Sequence, residues 1–244
     1  MKNIRLTIEY DGTRYCGWQK QKNDLTIQQT LENAINKITK EENDVVGCSR
    51  TDSGVHAKGF VANFLTGSSV PGNKFKYAIN SKLPNDIVII KSQETSLDFH
   101  ARYCSKGKRY VYTVSNREYP VALYRNYIYH FPKQLNVDKM KKAAKYIVGT
   151  HDFTAFKSQG SSVKTSIRKV FKLDIIKNND MLQFSISGDG FLYNMVRIIV
   201  GTLLDVGINK IEPEYIQEII ELKDRTKAGR VVPATGLCLE EVFY

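Results

Sequence analysis

The turn Asn178-Asn179-Asp180 constrains this chain more than any other stretch, because it joins two runs, 170–176 and 182–187, that both read as strands. Strands joined by so short a polar connection pair antiparallel, since a parallel return needs a crossover of a dozen or more residues. That sets aside a doubly wound parallel sheet. The opening residues 1–10 alternate apolar and polar side chains as a half-buried strand does. Thr26 and Gln29 then form a capping-box pattern ahead of Ile27, Leu31, Ala34, Ile35 and Ile38, which recur on one helical face. Further strands are predicted over 44–47, 60–64, 87–90, 109–114 and 237–243, and a loop-rich stretch over 67–86, which contains Pro71, Gly72 and Pro84. Helices are predicted over 137–148, with Met140, Ala144 and Ile147 inward and Gly149 after it, and over 194–206, ended by Gly207. Pro213 opens one more, through Leu222. Strands and helices interleaved with a hairpin predict an α+β fold. The small, basic run Ser105-Lys106-Gly107-Lys108 marks a boundary, giving domains 1–105 and 106–244.

At 244 residues the chain is long enough to bury a sizeable core. Its 36 Lys and Arg against 25 Asp and Glu leave a net charge of +11, a field that attracts polyanions. RNA, DNA and anionic membrane are all compatible with that charge. No stretch is apolar enough for a membrane span, and the alternating start is unlike a secretory signal, so a cytoplasmic protein is expected. Cys16, Cys48, Cys104 and Cys238 lack paired spacing, which argues against a disulfide framework or a zinc knuckle. His56, His100, His130 and His151 show no metal-site spacing either. Gly12 and Gly17 do not form a phosphate-cradling loop and are read as turn glycines.

Chemistry concentrates in Arg50-Thr51-Asp52-Ser53-Gly54-Val55-His56-Ala57. Ser53-Gly54 supplies a sharp reversal, the strand that follows holds it, and Asp52 is left as a placed carboxylate with an arginine two residues before it. A nearby guanidinium favours the ionised form. Taken alone, Asp-Ser-Gly is equally an ordinary Asx turn. Glu9, Asp11 and Asp98 are rival carboxylates. Arg197 lies in the apolar helical run of Met195, Val196, Ile198, Ile199 and Val200, where an unpaired charge is costly. It reads either as one half of a buried pair or as a snorkelling side chain. In Lys108-Arg109-Tyr110-Val111-Tyr112, basic and aromatic residues share a strand, with Tyr110 and Tyr112 on one face and Arg109 on the other.

The string Gly47-Cys48-Ser49-Arg50-Thr51-Asp52-Ser53-Gly54-Val55-His56-Ala57 closely resembles the catalytic motif of the tRNA pseudouridine synthase A family. Further blocks follow in the same order: Tyr10-Asp11-Gly12, Gly17-Trp18-Gln19, Phe99-His100-Ala101-Arg102, Lys108-Arg109-Tyr110, His151-Asp152-Phe153, Gly190-Phe191-Leu192, Met195-Val196-Arg197 and Pro233-Ala234-Thr235-Gly236-Leu237. The resemblance implies two related α+β halves with mixed or antiparallel sheets, helices on the outer faces and a central cleft, assembled as a homodimer. It implies isomerisation of uridine to pseudouridine at positions 38 to 40 of the tRNA anticodon stem-loop, without metal or cofactor. Asp52 is implied as catalyst, either attacking covalently or removing a sugar proton, two routes that the sequence leaves open. Arg197 is implied as its partner, Tyr110 as the residue packing on the target uracil, and Arg50 as the one helping to hold the nucleotide out of its stack. Two departures stand near the motif: Ser49 where the family commonly has glycine, and Phe60 where it often has glutamine.

Other readings of the same residues are a metal-independent ribonuclease or base-releasing enzyme that pairs Asp52 with His56, and a non-catalytic RNA-binding module. The basic segments 139–142, 157–164 and 223–230 are solvated faces, some of which are expected to line an RNA path.

Overall fold

The computed structural model describes residues 1–160 and 163–244, so two positions of the basic segment 157–164 lie outside the described residues. The chain divides into two compact units, Met1–Lys106 with Cys238–Tyr244, and Gly107–Leu237.

The first unit runs β1 (Lys2–Tyr10), α1 (Ile27–Thr39), β2 (Val46–Gly47), β3 (His56–Thr66), α2 (Phe75–Asn80) and β4 (Ile87–Thr95). In β1 the inward set Ile4, Leu6 and Ile8 is fully buried, which is the alternation read from sequence. The strand pairs antiparallel with β3 on one side and β4 on the other. β3 is longer than the apolar run that announces it, and its interior is buried on both faces, as expected of a central strand. β2 is only two residues and pairs antiparallel with β3. In α1 the Thr26 side chain accepts the Gln29 N–H at 3.4 Å, and Ile27, Leu31, Ala34 and Ile35 are buried. Ile38 is only partly covered, and Thr39 takes the inner place.

The stretch 67–86, expected to be loop, contains a 3₁₀ turn at Gly72–Lys74 and the six-residue α2. Phe75 and Ile79, four apart, give α2 its buried stripe, and Phe75 meets Phe64 edge-on at 5.4 Å. One pair of apolar positions is too short a periodicity to show in sequence among two prolines and a glycine.

The second unit runs β5 (Gly107–Ser115), β6 (Tyr129–His130), α3 (Val137–Ile147), β7 (Gly149–Asp152), β8 (Ile167–Asn178), β9 (Met181–Gly188), α4 (Met195–Gly207) and α5 (Tyr215–Leu222). β9 pairs antiparallel with both β5 and β8, β7 extends β8, and β6 lies parallel to β5. The β8–β9 hairpin closes at Asn178 and Met181, with Asn179 at φ 50°, a conformation asparagine tolerates better than most residues. In α3 Met140, Ala143, Ala144 and Ile147 face inward. In α4 nearly every side chain is buried. The last strand, β10 (Leu237–Phe243), lies parallel to β3 through Cys238 opposite His56 and Leu239 opposite Ala57. Among the described residues, antiparallel hairpins, one parallel pairing in each unit and five α-helices make the fold α+β.

Candidate active site

Loop 48–55 enters β3, and its shape is fixed from both ends. The Asp52 carbonyl accepts the Val55 N–H at 3.1 Å, closing a turn in which Gly54 sits at φ 76°, so the glycine supplies the positive dihedral read from sequence. The segment 10–18 clamps that turn. Trp18 N–H donates to the Thr51 carbonyl at 3.1 Å, Tyr10 and Thr51 share a hydroxyl hydrogen bond of 2.9 Å, and Ser53 Oγ and Gly54 N–H both donate to the Tyr15 carbonyl. A side chain at Gly12 would collide with the Val55 carbonyl, and one at Gly17, already at φ 85°, with the Thr51 carbonyl. These two glycines therefore admit the loop backbone, a tighter role than the turn-making expected of them. Asp52 is half-buried and Arg50 exposed on this frame.

Beneath the loop, Trp18 stacks on Phe60 at 4.0 Å and 25°, and Tyr10 tilts against Phe60 at 5.7 Å. Phe60 is wholly buried, so this departure from the family pattern fills an aromatic cluster under the loop. Gly47 passes so close to the Trp18 indole that a Cβ there would stand 2.6 Å from it. Tyr15, almost fully buried, donates its hydroxyl to Asp86 at 2.7 Å; burial first, and the carboxylate second, push its pKa far above the usual phenol value. Arg14 pairs with the same Asp86 at 2.5 Å. The Gly12 to Trp18 arm is thus anchored outside the loop it holds.

The rival carboxylates are placed differently. Asp11 accepts from Thr13 N–H at 2.9 Å and caps the short turn after β1, while Glu9 and Asp98 are exposed. His56 Nδ1 receives the Gly12 N–H at 3.1 Å and stands equally near an Asp11 oxygen. With 5% exposure, His56 is a buried support of the loop, which disfavours a nuclease pairing with Asp52.

In the second unit, Tyr110 is 6% exposed with its ring edge-on to Phe191 at 5.3 Å. Tyr112, on the same strand face, is fully buried and donates its hydroxyl to the Pro233 carbonyl at 2.7 Å. Arg197 points to the neighbouring carbonyl, donating from Nε to Val232 at 2.7 Å, and from Nη1 to the Asn194 side chain at 2.7 Å. Two of the guanidinium's donors are thereby satisfied by neutral acceptors. Asn194 sits at φ 60° at the head of α4, where its side chain leaves the helix uncapped; its Oδ1 serves Arg197 and its Nδ2 donates to Ser158 Oγ at 3.0 Å. The segment supplying the two carbonyls is fixed in turn: Thr202 Oγ1 accepts the Gly229 N–H at 2.9 Å, and Gly201 and Gly229 leave room for close backbone passage. Tyr10, Thr51 and Asn194 were missed as site supports, since hydrogen-bond partners distant in sequence leave no local signal; only the Tyr10-Asp11-Gly12 block and the residue immediately before Met195-Val196-Arg197 hinted at them.

Among the described residues no three His, Cys, Asp or Glu side chains gather as a metal site requires, and no helix is long and apolar enough to cross a membrane. The sequence pattern of a family described as tRNA pseudouridine synthase matches residues 6–104 and 143–244. The chain is 61% identical to tRNA pseudouridine synthase A 2 of Clostridium perfringens, over 100% of both proteins. It is 57% identical to tRNA pseudouridine synthase A of Clostridium acetobutylicum and 55% identical to that of Acetivibrio thermocellus, again over 100% of each.

Proposed function

This chain belongs to the tRNA pseudouridine synthase family, isomerases acting on tRNA, and we propose that it converts uridine to pseudouridine at positions 38 to 40 of the anticodon stem-loop. The reaction breaks the bond from ribose C1′ to uracil N1, turns the base, and joins C1′ to C5. The C5 proton leaves and N1 gains one, with no net redox change and no water consumed. Asp52 is the catalyst, as nucleophile at C1′ or as base on the sugar; Arg50, Tyr110 and Arg197 hold the substrate. The protein works in the cytoplasm as a homodimer with tRNA as its macromolecular substrate, and neither route calls for a cofactor.

The observation that carries this reading is the Asp52 loop. A half-buried carboxylate lies on a turn held by five hydrogen bonds and two close-approach glycines, as catalysis by a placed group demands. The test is incubation of pure protein with unmodified tRNA transcript, followed by pseudouridine-selective labelling and mass spectrometry. Label at 38, 39 or 40 is expected. Label confined to other uridines would contradict the positional assignment; shortened RNA or free uracil would indicate the nuclease or base-releasing reading.

A further inference from the structure

The Phe99-His100-Ala101-Arg102 block takes no part in the loop around Asp52, yet the structure builds it with care. Asn3, 1% exposed, donates to the carbonyls of Ser96 and Phe99 at 2.9 Å. Asn63, 6% exposed, donates to the Asn3 side chain at 3.0 Å and accepts the Ala101 N–H at 2.8 Å. The Tyr244 hydroxyl donates to the Ala101 carbonyl at 2.6 Å, and Arg5 lies over the rings of both Phe99 and Tyr244. A satisfied buried polar network of this kind makes a stiff base.

On that base stands an exposed aromatic stack. His100 Nδ1 accepts the N–H groups of Arg102 and Tyr103 at 3.2 and 3.3 Å, which fixes the imidazole. Its ring stacks on Tyr103 at 4.2 Å and 29°, while Tyr103 is 77% exposed. The Arg102 guanidinium is 5.9 Å from the Tyr103 centroid, at the outer limit of a cation–π contact, and Arg102 and Lys106 are exposed. Burial of apolar area does not account for a tyrosine left this open. Rigid exposed aromatics beside cations are how proteins hold unpaired nucleotides, the ring taking the base and the cation the phosphate. The similar group at Tyr77 is less suited: Lys74 and Lys76 already lie over its ring, on a helix of six residues.

We infer that His100, Arg102 and Tyr103 form a platform on which an unpaired base of the RNA substrate stacks, away from the target uridine. This rests on the proposed function for its ligand, an RNA drawn to a chain of net charge +11. The Asn63 anchor lies seven residues along β3 from His56, at the end of the catalytic loop, which is roughly 20 Å at strand spacing. The base held is therefore several nucleotides from the one isomerised.

The test is equilibrium binding of an unmodified tRNA transcript to the full chain and to Tyr103→Ala, Tyr103→Phe and Arg102→Ala, with thermal melting and sedimentation of each. Tyr103→Ala is expected to bind about tenfold more weakly, in keeping with one lost base stack, while Tyr103→Phe stays within about twofold. Arg102→Ala should lower the steepness of the salt dependence by about one phosphate contact. Single-turnover rates at saturating tRNA should match wild type in all three. Wild-type affinity for Tyr103→Ala overturns the platform, as does equal loss in Ala and Phe; a changed oligomeric state would assign the patch to a contact between copies instead. Because binding is read without catalysis, a wild-type protein that makes no pseudouridine sinks the functional reading and leaves the platform result legible.

Discussion

Tyr10 shows how a residue far from the motif governs it. Its hydroxyl meets Thr51 Oγ1 at 2.9 Å in a buried setting, so Tyr10→Phe removes one hydrogen bond and leaves the ring against Phe60. A stability loss of about 1 kcal/mol is expected in urea denaturation. Turnover should fall further than tRNA affinity does, since the loop that carries Asp52 loosens while phosphate contacts persist. Unchanged single-turnover rates would show that the tether is not needed. Asn194 permits a cleaner separation. At φ 60° glycine is at ease and alanine is not, so Asn194→Gly removes the Arg197 acceptor without backbone strain, whereas Asn194→Ala adds about 1 kcal/mol of strain. Both variants should lose turnover alike and differ in melting temperature; a variant series in which activity tracks stability would make Asn194 merely structural. The Arg50-Thr51-Asp52 string and the apolar setting of Arg197 were legible in sequence because they are local. The hydrogen bond from Tyr10 spans 41 positions and that from Arg197 to Val232 spans 35, and nothing in residue type announces either.

Elements were legible in proportion to their length and period. The β8–β9 hairpin follows from Asn178-Asn179-Asp180, and α1 from a threonine cap and a clear apolar face. The strand expected over 44–47 is realised only as the two-residue β2, while the six-residue α2 and the two-residue β6 are products of tertiary pairing and leave no periodic trace. One join between elements is sensitive to pH. Glu41, just after α1, accepts from Thr66 Oγ1 at 2.6 Å and from Gly67 N–H at 3.1 Å, tying the helix end to the end of β3. The Thr66 hydrogen bond, ahead of the others, lowers its carboxyl pKa below the ordinary value of about 4.3. The ionised form therefore stabilises the fold above that ordinary value, and the contribution fades as pH falls through the lowered folded-state pKa. Melting temperatures from pH 7 to pH 3 should accordingly fall less steeply in Glu41→Gln than in wild type. Parallel curves would remove the tie.

At the scale of the whole chain, two α+β units and a net charge of +11 suit a protein that handles a polyanion, and the family membership says which one. Charge alone left RNA, DNA and membrane open; the ordered motif blocks resemble one family, and the match to the tRNA pseudouridine synthase family narrows that choice to RNA. Affinity for tRNA should come from many phosphate contacts and chemistry from one carboxylate, so the two ought to separate on substitution. The direct measurement is Asp52→Asn, an exchange that keeps size and hydrogen-bonding shape, assayed beside wild type for tRNA binding and for pseudouridine by selective labelling and mass spectrometry. Wild type should form pseudouridine with neither free uracil nor shortened RNA, and Asp52→Asn should form none while binding tRNA within about tenfold of wild type. Pseudouridine made by Asp52→Asn at the wild-type rate, or activity lost only in proportion to binding, would contradict the assignment of Asp52 as the catalyst.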